Sequence, residues 1–111
     1  MAEKRDPVEA FLAALRIYLK ERGHMLFSFS GAGSQTIVRL ALRGLWRRHD
    51  TSTGYIKFMD AVREIRRNPE ALERLREYGI LQFEVFEGEP YAIVDLRRLR
   101  RLYEEALKEE D

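Results

Sequence analysis

The sequence predicts an α+β domain of about five helices and one small antiparallel sheet. Three observations carry this reading. Apolar residues recur at helical spacing in five separate stretches, and two short stretches alternate with period two instead. Between them stand Asp6-Pro7, Gly23, Asn68-Pro69, Gly79 and Gly88, which are boundary residues.

Asp6 is the expected N-cap of the first helix, with Pro7 at its first turn. Val8, Phe11, Leu12, Leu15, Tyr18 and Leu19 form its buried stripe, and Gly23 is expected to stop it. Arg16, Lys20 and Arg22 read as its wet face. His24 to Ser30 then alternates, with Met25, Phe27 and Phe29 on one side, and predicts a strand over 25–30. Phe27 and Phe29 read as core residues ahead of base-stacking ones.

The stretch Ser30 to His49 is the one around which the reading turns. Gly31-Ala32-Gly33 is expected to deliver the chain into a helix whose free N–H groups favour an anion. Gly31, Gly33, Ser34, Gln35 and Thr36 are therefore candidate phosphate contacts. The loop lacks the third glycine of a dinucleotide fingerprint, where Thr36 stands, and the Gly-Lys-Ser/Thr of a P-loop. Along the expected helix, Ile37, Val38, Ala41, Leu42 and Leu45 share one face, while Arg39, Arg43 and Arg47 follow at i, i+4 and i+8. Gly44 inside a helix implies close approach by a neighbour. Trp46 sits at the edge of the apolar face.

His49 to Gly54 is a polar loop. Tyr55, Phe58, Met59, Val62 and Ile65 mark the next helix, ending in Arg66-Arg67. Asn68 caps a short helix with Pro69 in its first turn, and Gly79 ends it. Ile80 to Phe86 and Tyr91 to Val94 predict a hairpin, with Phe83 and Val85 facing opposite to Gln82, Glu84 and Phe86. Asp95 caps a final helix whose Leu96, Leu99, Leu102, Tyr103, Ala106 and Leu107 line one side.

At 111 residues the chain forms one expected domain, 1–111, with flexible ends over 1–6 and 108–111. No apolar run is long enough to span a membrane, and no signal-peptide core is visible, so the expected location is cytoplasmic. The absence of cysteine excludes disulfides, thiolate metal sites and a cysteine nucleophile. That absence, with a single asparagine and many Arg and Glu, is the compositional lean of thermophile proteins.

A net charge of +1 hides strong segregation. Eight basic and three acidic residues give 34–67 a net +5, whereas seven basic and twelve acidic residues give 68–111 a net −5. A basic middle suits a polyanion. Catalytic material is poor: His24 and His49 form no metal motif, and no serine nucleophile elbow occurs. Neither an enzyme nor a cofactor or metal is expected.

From Tyr55 onward the order resembles a winged-helix domain. The helix through Ala71 to Tyr78 leads into the two-stranded hairpin of Gln82 to Val94. The resemblance covers the last half of the chain and rests on layout. It implies a helix that enters the major groove and a wing that touches the backbone. Here that helix carries Glu70, Glu73 and Glu77, and the hairpin carries Glu84, Glu87 and Glu89. A DNA face is therefore expected elsewhere.

The leading expectation is non-enzymatic nucleic-acid binding, with single strands at least as suitable as duplex. Arg39, Arg43, Arg47, Arg48, Lys57, Arg63, Arg66 and Arg67 would contact phosphates, beside Trp46 and Tyr55 as stacking residues. The alternative is an assembly module, a homo-oligomer joined by segregated charge and a seam along the C-terminal leucines. A small enzyme acting on a phosphorylated ligand at Gly31–Thr36 is a third reading.

Overall fold

The computed structural model describes residues 5–31 and 36–108, without the side chains of 29–31. Helix α1 (Pro7–Gly31) is followed by strand β1 (Ile37–Ala41), short helix α2 (Arg43–Trp46), and helices α3 (Phe58–Arg67) and α4 (Pro69–Glu77). Strands β2 (Ile80–Phe86) and β3 (Glu89–Asp95) and helix α5 (Leu96–Lys108) complete the described chain. The fold is α+β: five helices, a 3-10 turn at Thr51–Thr53, and a three-stranded antiparallel sheet ordered β1-β3-β2.

Several boundaries follow from their sequence signals. Asp6 Oδ1 accepts from Val8 N at 2.9 Å, and Asn68 Oδ1 accepts from Glu70 N at 3.0 Å, so both predicted caps form. Asp95 Oδ1 does the same for Arg97 N at 3.0 Å. Glu87 and Gly88 turn the hairpin at φ 53° and 80°, the paired left-handed residues that match strand twist.

Two segments depart from their predicted states. Residues 25–30 are not a strand; they continue α1, and Gly23 does not stop the helix. Leu15, Leu19, Leu26 and Phe27 prolong one helical stripe across Gly23, and Phe27 stacks on Tyr103 with ring centroids 5.0 Å apart. The alternation of Met25, Phe27 and Phe29 imitated a strand, but Met25 is exposed. Over its described residues, from Thr36 on, the helix expected after the glycine turn is a strand and a single helical turn. A short apolar run such as Ile37–Leu40 fits either state by periodicity. Pairing decides it: Val38 lies opposite Val94 and Leu40 opposite Ala92 on the central strand β3.

The core lies between one sheet face and the helices. Leu40, Ala92, Val94 and Ile80 meet Phe11, Leu15, Leu19, Val62, Ile65, Leu75 and Leu99 there. Leu81 is an extra residue in β2, and Arg76 Nε donates to its carbonyl at 3.2 Å. The opposite sheet face carries no helix among the described residues. In α5 the residues Leu96, Leu99, Leu102 and Ala106 are buried against the rest of the chain, while Leu107 of the expected seam is exposed.

Candidate nucleic-acid interface

The predicted cationic stripe is divided by the strand. Arg39 leaves β1 on the open sheet face, where its Nε donates to Glu84 at 2.7 Å and its guanidinium lies 4.5 Å from the Phe86 ring centre. Arg43, Arg47 and Arg48, from α2 and the turn after it, converge elsewhere. With Tyr18, Glu21 and Arg22 of α1 and Ala41 and Gly44, they line an open cleft of about 490 Å³. Among the described residues, four arginines face one glutamate in this cleft.

Its cations differ in what holds them. Arg48 is 15% exposed; its Nε and Nη2 reach the two oxygens of Glu21 at 3.0 and 3.3 Å. Its Nη1 donates to the Gly44 carbonyl, and its guanidinium lies 5.3 Å from the Tyr18 ring centre. Arg48 therefore ties α2 to α1. Gly44 explains itself in the same place, because a Cβ there would lie 3.3 Å from the Tyr18 ring. Arg43 pairs with Glu89 at the surface. Such an exposed pair is worth about 0.2–1 kcal/mol, which an incoming phosphate can replace. Arg22 and Arg47 are exposed and make no ion pair among the described residues.

A second cleft, of about 360 Å³, opens at Trp46, His49, Ile56, Lys57, Phe58 and Met59. Trp46 is 40% exposed and Ile56 85%. His49 Nε2 bonds the Tyr55 carbonyl at 2.7 Å, and its ring sits edge-on to Phe58 at 5.9 Å. With Nε2–H as the donor, Nδ1 is left a buried acceptor without a partner among the described residues.

Tyr55 is not a stacking surface. It is 1% exposed, its hydroxyl donates to Glu64, and the Arg5 guanidinium covers its ring at 4.7 Å. Arg63 pairs with Asp60 at 3.4 Å, while Arg66 and Arg67 stand exposed at the end of α3; these three line neither cleft. The predicted single patch is thus divided: Arg39 on the sheet face, Arg43, Arg47 and Arg48 at the first cleft, Lys57 at the second, and Arg63, Arg66 and Arg67 on α3.

The predicted phosphate loop also changes character. Gly31 ends α1, so it sits at the electronegative end of a helix, and Thr36 leads into β1 with its carbonyl accepting from Leu96 N at 2.8 Å. No helix begins after Thr36, which removes the dipole argument. Gly33, Ser34 and Gln35 lie outside the described residues.

Arg22 and Tyr18 are the additions that sequence reasoning missed. They are one helical turn apart on α1, a spacing that sets them side by side, but what faces them depends on where α2 docks. Among the described residues, no helix is long and apolar enough to cross a membrane, and no cluster of three His, Asp or Glu is placed to hold a metal. Compared with protein families, curated proteins and solved structures, the chain matches none.

Proposed function

We propose that this chain is a non-enzymatic nucleic-acid-binding domain that holds the phosphate backbone in the cleft between α1 and α2. The observation that carries this reading is the cleft lined by Arg22, Arg43, Arg47 and Arg48, with Glu21 the one carboxylate there among the described residues. Arg48 supplies the rigid floor and Arg22 and Arg47 the free guanidiniums, whose forked donors suit phosphate oxygens.

The frame we infer is winged-helix-like, supported by α3 and α4 running directly into the β2–β3 hairpin. Duplex reading by α4 is disfavoured by charge. Its Arg74 reaches Asp6 at 3.0 Å and its Arg76 pairs with Glu73, leaving Glu70 and Glu77 as its unpaired charges among the described residues. Carboxylates there repel a phosphate backbone. The test is fluorescence anisotropy of labelled oligonucleotides with the Arg22→Glu/Arg47→Glu variant. Loss of binding with an unchanged circular dichroism spectrum supports the cleft; unaltered affinity removes it.

A second reading, self-assembly, has its own support. The open sheet face bears Arg39 and Glu84 beside Ile93, and Phe86 is 44% exposed. Opposite charges on one face let two copies pair about a two-fold axis. Sedimentation of Arg39→Glu, Glu84→Arg and their equimolar mixture tests it. Dimer in the mixture but in neither variant alone supports assembly; monomer throughout contradicts it.

A further inference from the structure

We infer that the cleft at Trp46 receives one unstacked base of a single-stranded nucleic acid whose phosphates lie in the arginine cleft; this rests on the reading above and names its substrate class. The two clefts share α2. Its Arg43 and Gly44 line one, with Arg47 and Arg48 of the turn after it, and its Trp46 lines the other. An α-helix with its side chains is about 10–12 Å across, so a strand crossing α2 sets a phosphate on one side and a nearby base on the other.

The lining fits a base. Trp46, Ile56, Phe58 and Met59 give it an apolar wall, Lys57 supplies a cation, and among the described residues no acidic one lines it. Its volume of about 360 Å³ accommodates an aromatic bicycle with room for the sugar. Its floor is held by the fold, because Phe58 is buried and His49 is bonded to the Tyr55 carbonyl. An indole at a cationic rim is a sequence-tolerant stacking surface. Bases inside a duplex are stacked on their neighbours, so only a single strand presents one freely.

Trp46 is the sole tryptophan, so its fluorescence reports this cleft alone. A twelve-residue oligothymidylate, a duplex of equal length and heparin are titrated, with binding followed in parallel by anisotropy or competition. The single strand is expected to quench Trp46, whereas heparin binds without quenching. Trp46→Ala should weaken the single strand about 5- to 150-fold and leave heparin affinity unchanged, and Trp46→Phe should restore most of the loss. Because Ile56 is largely exposed, Ile56→Ala trims the same wall without disturbing the core and should also weaken the single strand selectively. Single-strand binding with unchanged Trp46 emission and full affinity in Trp46→Ala overturns the base site but leaves the arginine cleft standing. No binding of any oligonucleotide or heparin removes both.

Discussion

The ring of Tyr103 occupies the place where residue 23 would carry a side chain: a Cβ on Gly23 would press on Tyr103 Cε1 and lie 2.6 Å from its Cδ1. Glycine at this point of α1 is therefore a packing device that lets α5 approach. Gly23→Ala gains about 1 kcal/mol of helix propensity but forces the ring aside, at about 1–3 kcal/mol. Thermal unfolding should show a net loss of stability, with Tm lowered by several degrees. A raised Tm would mean that the ring moves freely.

Gly79 and Gly88 both have positive φ, at 100° and 80°, yet should respond differently. At Gly79 a Cβ meets the Asp95 carbonyl oxygen at 2.6 Å and Leu99 N at 2.9 Å, atoms of the backbone that cannot turn away. At Gly88 it meets nothing within 4 Å. Gly88→Ala should cost about 1–2 kcal/mol from left-handed strain alone, and Gly79→Ala clearly more. Urea titration of both variants gives the comparison.

Asp6 links the start of α1 to α4 through Arg74. Partial burial pushes its pKa up, but hydrogen bonds from Arg74 and from the N–H groups of Val8 and Glu9 outweigh that and hold it below the usual value. A lowered folded pKa contributes stability above the unfolded value, about 3.9, and loses it as pH falls through the folded one. Asp6→Asn keeps a capping oxygen and removes the charge. Its stability deficit relative to wild type should be present at pH 7 and shrink below about pH 4, measured by denaturation across that range.

Tyr55 gives the opposite limb. Burial raises its pKa, and the hydrogen bond to Glu64 raises it further. A raised folded pKa means that the stability is complete below the unfolded value, about 10, and is lost as pH rises beyond it. Tyr55→Phe should lower Tm at pH 7, and the gap to wild type should close above about pH 10.

Legibility in the sequence followed how local each signal is. The caps at Asp6, Asn68 and Asp95 and the left-handed Gly79 involve neighbours in the chain and are readable there; the hairpin turn is too, though Glu89 and Pro90, which the sequence places in the turn, already pair in β3. The state of 25–30 and 37–41 depends on distant partners: Tyr103 for Gly23 and Phe27, and β3 for Val38 and Leu40. The candidate site suffered for the same reason. Charge marks out Arg43, Arg47 and Arg48, but helical spacing joins Arg39 to them where the strand parts it, and the place of Arg22 depends on how α2 docks on α1. Tyr55 reads as a stacking residue because its aromatic type is visible in the sequence, whereas its burial under Arg5 is not.

Phosphate binding by Arg22 and Arg47 is tested most directly by the salt dependence of single-strand affinity. Three to four neutralised phosphates give log K against log salt a slope of about −2 to −3, since each contact on a single strand contributes about −0.7. The expected result is that slope for the wild-type chain and a slope at least one unit shallower, with weaker binding, for Arg22→Glu/Arg47→Glu. Affinity independent of salt, or the same slope in both proteins, would contradict it.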